Sequence, residues 1–169
     1  MIIIGGTKIM DFEVVDSNSV NEYVEANNSE TIKNKIDSSD VLVVPAKHTD
    51  GEYYFAQESV DFIKFCRLND KEHQFDILSE DEIKKRTLHS FDIWMGVIYV
   101  SQYVLLPIAT GLVSAYIYEK MKGHEDEDTE VDVTFEVKHK KKEKKIHFRG
   151  SAEDFNKVFR EGDLDRWFK

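Results

Sequence analysis

The chain has 169 residues, with 33 acidic and 23 basic side chains, a net charge of −10, two prolines and one cysteine. That length holds one ordinary domain or two very small ones. The lone Cys66 excludes an intramolecular disulfide framework and a Cys-rich zinc site, and the acidic balance argues against a protein that coats nucleic acid over its whole surface.

The charge is unevenly spread. Residues 1–90 carry 18 acids and 10 bases, residues 91–123 carry two of each, and residues 124–169 carry 13 acids and 11 bases. The last segment holds two opposed blocks: six acids and no base from Glu125 to Asp132, then seven bases against Glu143 from Lys138 to Arg149. This divides the chain into an acidic head (1–90), an uncharged middle (91–123) and a dipolar tail (124–169). Met1-Ile2-Ile3-Ile4 is too short for a secretory signal and lacks a basic flank.

The head reads as a small mixed α/β unit. Ile9, Phe12, Val14 and Val15 mark a strand that Asp16-Ser17-Asn18-Ser19 ends. Ser19 caps a helix through Asn28, and Ser29-Glu30-Thr31 opens another carrying Ile32 and Ile36. Asp40-Val41-Leu42-Val43-Val44-Pro45 is a continuous β-branched run, the pattern of a strand buried on both faces. A turn at His48-Thr49-Asp50-Gly51, a strand at Tyr53-Tyr54-Phe55 and a helix from about Gln57 to Asn69 follow. Phe75-Asp76-Ile77-Leu78 is a further short strand, and Ser79-Glu80-Asp81-Glu82 an acid-capped helix start. Strand, helix and strand of this length fit a right-handed crossover beside a small sheet.

Chemistry-bearing residues in the head are sparse. His48 and Asp50 are placed to ligate a metal or share a proton, or simply form a polar turn beside Gly51. Arg67 and His73 have five residues between them, as in HEPN-type ribonucleases, a helical family unlike this mixed head. Cys66 lies on an apolar helix face, where cysteine acts as a small hydrophobe. Gly5-Gly6 lacks the spacing of a phosphate-binding loop. No residue is singled out as catalytic or metal-binding, and no cofactor is implied.

The middle has no charged side chain over the 26 residues from Ile93 to Tyr118. The expectation is a long apolar central helix, broken or kinked at Pro107, spanning about 39 Å. Trp94 lies near one end and Tyr116 and Tyr118 near the other, as interfacial aromatics do in a membrane helix. Gly111 with Ala115 and Thr110 with Ser114 have the spacing of close helix–helix contact. Ser101, Gln102, Thr110 and Ser114 argue for a buried helix pair instead. Either reading makes Trp94, Tyr103, Pro107, Gly111, Ala115 and Tyr116 the expected membrane or oligomer contact.

In the tail, Val131, Val133, Phe135 and Val137 alternate with polar residues, as do Ile146 and Phe148, which predicts a β-hairpin with one apolar face and a basic tip. Ser151-Ala152-Glu153-Asp154 resembles a capping box, and Phe155, Val158 and Phe159 share a helical face. Leu164, Trp167 and Phe168 supply a final apolar contact. Lys138 and the group Lys140, Lys141, Lys142, Lys144 and Lys145 suit phosphate, nucleic acid or anionic lipid heads. Alternatively they are a solvated turn guarding a β edge, or neutralise the acidic block before them. No aromatics interleave with them, which argues against stacked single-stranded bases.

The run Ala115-Tyr116-Ile117-Tyr118-Glu119-Lys120-Met121, followed by an alternating hairpin and Gly150-Ser151-Ala152-Glu153-Asp154-Phe155, resembles small uncharacterised prokaryotic accessory proteins of conflict and antiphage defence systems. The resemblance covers roughly residues 90–160 and brings no site residues with it. It implies an accessory subunit, while the lone cysteine fits a reducing cytosol and the apolar middle an inner-membrane association, so the expected location is cytoplasmic or inner-membrane associated. The expected function is a non-catalytic interaction protein that assembles through its central helix, with itself or a larger protein subunit. Two alternatives stay open: a membrane-disrupting effector triggered through the head, and a small hydrolase or nuclease using His48, Asp50, Arg67 or His73.

Overall fold

In the computed structural model, the described residues are 2–4, 7–27, 29–80, 83–86, 92–124, 129–160 and 164. The protein is mixed α+β. Strands β1 (Ile2–Ile4), β2 (Thr7–Asp16), β3 (Val41–Val44), β6 (Phe75–Ile77), β8 (Ile93–Val100), β9 (Val131–His139) and β10 (Lys142–Gly150) form one sheet in the order β1-β2-β10-β9-β8-β3-β6. Pairing is antiparallel except between β8 and β9 and between β3 and β6. Head, middle and tail segments all contribute strands to this sheet. A small second sheet joins β4 (Ala46–Lys47), β5 (Tyr53–Ala56) and β7 (Lys85–Arg86).

Alternation along the strands assigns the two faces. Val41 and Val43 point into one core with Ile98, Val100, Val133, Phe135, Ile146 and Phe148. This core is covered by α3 (Ser59–Asn69), α4 (Leu106–Met121) and α5 (Ala152–Phe159). Leu42 and Val44 point the other way and pack with Tyr99 and Leu78 against Val20, Tyr23 and Ile32 of α1 (Ser19–Asn27) and α2 (Glu30–Ser38). Thus β3 is buried on both faces, as its unbroken apolar run requires. It pairs in parallel with β6 after the chain crosses through α3.

Local sequence explains the helix starts. Ser29 Oγ accepts from the Ile32 amide at 3.3 Å, and Ser151 Oγ accepts from the Asp154 amide at 3.1 Å, each satisfying a free N–H of a first turn. The hairpin β9–β10 has the expected apolar face, but its turn is only Lys140-Lys141, with Lys140 at φ 58°. The helix expected to start at Ser79–Glu82 falls partly on residues 81 and 82, outside the described residues, as do residues 125–128 of the acidic linker and Trp167 and Phe168.

The middle segment departs from expectation. Residues 93–118 do not make one long helix. Ile93–Val100 is strand β8, inserted between β9 and β3, and only after a 3-10 turn at Tyr103–Leu105 does α4 begin. A central strand and a packed helix are both free of charge, so the charge gap alone cannot separate them. Pro107 sits in the first turn of α4, where its missing N–H breaks no intrahelical bond, so it starts the helix rather than kinking it. Gly96 sits at φ 71°, beside a register shift in β8, and a Cβ there would meet the Ala56 Cβ at 2.7 Å. Among the described residues no helix is long and apolar enough to cross a membrane. Residues 93–118 are therefore not the membrane-spanning helix that their apolarity suggests.

Candidate functional site

The outer side of α3, α4 and α5 carries a groove of about 490 Å³. Phe65, Ile117, Met121 and Phe155 give it apolar walls, and Gly111 and Ala115 give it a shallow floor. Ser114 Oγ donates to Asn156 Oδ1 at 2.6 Å, tying α4 to α5 across it. The Arg160 guanidinium lies over Gly111, where an added Cβ would stand 2.5 Å from Nη1. Gly111 therefore makes room for this chain's own arginine. Tyr118, at the groove, is 68% exposed, and Leu68 on α3 is 74% exposed, large for apolar side chains of a folded domain.

The expected contact residues separate on the structure. Pro107 and Ala115 are exposed on α4, and Gly111 is half-buried under Arg160. Tyr116 is not at the surface. It is buried, its ring edge-on to Phe62 and Phe65, and its hydroxyl donates to the buried Glu58 carboxylate, which Lys120 approaches at 3.5 Å. Burial raises the Tyr116 hydroxyl's pKa, with the Glu58 contact adding to it. Trp94 lies on the other side of the sheet, edge-on to His48, and Tyr103 packs edge-on to His139. Sequence reasoning names Tyr118 only as an aromatic at the end of a membrane helix and does not single out Leu68, because a helical turn containing both core and outward apolar residues shows no clean stripe.

The far side of β2, β10, β9 and β8 is a charged lattice. Its rows run Tyr99–Glu136–Lys145–Val15, Val97–Thr134–His147–Glu13 and Trp94–Asp132–Arg149–Asp11. The bases of β10 stand between the acids of β9 and β2. His147 Nε2 meets Asp132 Oδ1 at 3.0 Å, and Arg149 Nε donates to Glu130 Oε2 at 2.9 Å.

The lysine cluster does not converge on one site. Lys140, Lys141 and Lys142 are exposed at the hairpin tip. Lys144 reaches Asp16 at 3.4 Å, while Lys145 lies on the charged lattice opposite Glu136. An anion at the tip would meet three flexible ammoniums, because Lys144 is paired with Asp16 and Lys145 stands on the charged lattice away from the tip.

The four head residues weighed for chemistry each have a packing partner. Asp50 accepts from the Tyr54 hydroxyl at 2.7 Å and pairs with Arg86 at 3.0 Å. The Tyr54 hydroxyl, with the Glu52 amide and Arg86, holds Asp50 below the usual carboxylate range. His48 lies edge-on to Tyr54 and Trp94. Arg67 donates twice to the Phe75 carbonyl, and His73 Nδ1 meets Asp70 Oδ2 at 2.9 Å. Cys66 is fully buried, and burial pushes its thiol up to about 12. Among the described residues no group of three or more His, Cys, Asp or Glu side chains is arranged to hold a metal ion.

No protein-family model, no curated protein and no solved structure matches this chain.

Proposed function

We propose that this chain is a non-catalytic interaction subunit whose contact surface is the outer side of α3, α4 and α5, and that it assembles there with a second copy of itself. The observation that carries the reading is the groove with Tyr118 beside it. One patch supplies both a protruding aromatic ring and a hollow of small residues, which is what a two-fold interface needs. Tyr118 and Gly111 lie equally far on either side of the midpoint between Ser114 and Ala115. An antiparallel pairing of two α4 helices about that midpoint sets each Tyr118 ring against the partner's Gly111 and the Arg160 guanidinium over it. A tyrosine face on a guanidinium is a favourable contact.

The lack of charge from Leu106 to Tyr118 supports the same reading, since outward positions of an ordinary surface helix carry charge. We place the subunit in a prokaryotic defence or conflict system on the resemblance of residues 90–160 alone. The membrane-disrupting alternative loses its main support, because the apolar rod it needed is a sheet strand and a 16-residue helix.

Light scattering coupled to size exclusion tests the proposal. Wild type is expected at twice the 19.7 kDa monomer mass, and Ala115→Arg, at an exposed position, is expected at the monomer mass with an unchanged melt. An Ala115→Arg protein that still elutes as a dimer would place the interface elsewhere.

A further inference from the structure

A second cleft lies on the opposite side of the sheet, where the first turn of α1, the corner at Pro45 and the charged lattice meet. It holds about 230 Å³, below the range of pockets for drug-sized molecules. Val20, Val44 and Val97 give it an apolar wall, and Glu136, Lys145 and Lys47 also line it.

Glu136 is the unusual member. It is 1% exposed, at the centre of a sheet row, and its Oε1 accepts from Ser17 Oγ at 2.8 Å. The Ser19 hydroxyl also lies near this carboxylate, but its Oε2 is buried and, among the described residues, has no hydrogen-bond partner. A buried carboxylate oxygen without a donor is costly, and structures seldom keep one without a use. Lys145, its cross-strand neighbour, is half-buried, and Lys47 is exposed at the mouth. The cleft thus offers an acceptor in its depth, an apolar wall, and toward the outside two ammonium groups with the exposed Glu22 carboxylate beside them.

We propose that this cleft binds a small zwitterion of α-amino-acid size, with its ammonium donating to Glu136 and its carboxylate held by Lys145 and Lys47. The two charges of such a ligand match the two ends of the cleft, and a short apolar side chain matches the valines. A simple anion would meet Glu136 as a like charge, and a simple amine would leave both lysines unused.

The test titrates the full chain with an equimolar mixture of the twenty L-amino acids, then with each singly, following amide resonances by NMR. At least one amino acid should give a saturable shift at residues around the cleft. Glu136→Gln, which keeps the side-chain shape, should weaken that binding at least about tenfold, the loss of one charge-assisted hydrogen bond. Ala46→Trp, which fills the cleft from a half-exposed position, should abolish it, and the matching amine and carboxylic acid should each bind more weakly than the amino acid. Tyr118→Arg should leave it unchanged, so this site and the helical interface fail or stand separately. The absence of any saturable shift up to about 10 mM, well beyond the range of a specific small-ligand site, overturns the proposal. So does wild-type affinity in Glu136→Gln or in Ala46→Trp.

Discussion

The Arg160 guanidinium, at the end of α5, lies across α4 where Gly111 has no side chain, so that a Cβ at 111 would come within 2.5 Å of Arg160 Nη1. The contact joins α5 to the middle of the chain and shapes the groove floor. The clashing atom is the far end of a flexible side chain, which can swing away. Gly111→Ala should therefore fold normally, with a stability gain of up to about 1 kcal/mol from helix propensity. Gly111→Leu should fold too but fill the groove. Thermal melts and light scattering on both variants check this: only the leucine should lose self-association.

The buried Tyr116–Glu58 contact predicts a cost of a different origin. Tyr116→Phe keeps the ring packing on Phe62 and Phe65 but leaves a Glu58 oxygen without its hydroxyl donor. Losing one partner of a buried polar pair costs about 1–3 kcal/mol. Urea unfolding should show a lower midpoint with an unchanged slope.

The hairpin tip predicts a gain. Lys140 sits at φ 58°, in the left-handed region that a Cβ disfavours. Lys140→Gly should stabilise the protein by about 1 kcal/mol by removing that strain. Lys141→Gly has no such strain to relieve and should be neutral or slightly destabilising. Paired denaturant melts of the two variants separate the local backbone effect from the loss of a lysine charge.

Stability should also depend on pH through Glu136. Burial pushes its carboxyl above the ordinary 4.5, with Glu143 adding to the rise, against the Ser17 and Ser19 hydroxyls and Lys145, which hold it down. The folded chain therefore binds this proton more tightly than the unfolded chain. Stability from this group is present at low pH and is lost as pH rises from 4.5 through the folded value. Glu136→Gln should thus be at least as stable as wild type at pH 7, and its advantage should shrink as the pH falls toward 4.5. A variant markedly less stable at pH 7 would mean that the carboxylate has a strong partner when ionised.

Much of the fold is legible in the sequence because single residues carry unambiguous signals. The period-two pattern of Val131 to Val137 and of Ile146 and Phe148 locates the hairpin, and Ser151 marks the start of α5. Val41–Val44 announces a strand buried on both sides, and it is one. The middle segment misleads because burial removes charge from strands and helices alike. Ile93–Val100, in the centre of the sheet, and Leu106–Tyr118, with one face packed on the core beside α3 and α5, join into one apparent rod. The Arg160–Gly111 contact and the exposure of Tyr118 and Leu68 depend on which helices meet, which no local pattern records. The charged lattice is half visible: the acidic and basic blocks of the tail are plain, but their pairing with Asp11 and Glu13 of β2 requires the sheet order.

Self-association through the helical face is the central claim, and sedimentation velocity over a wide concentration range tests it most directly. Wild type should move toward a species of twice 19.7 kDa as concentration rises, while the double variant Ala115→Arg, Tyr118→Arg stays at 19.7 kDa with an unaltered melt. A wild-type protein that sediments as a 19.7 kDa monomer at every concentration would contradict that claim.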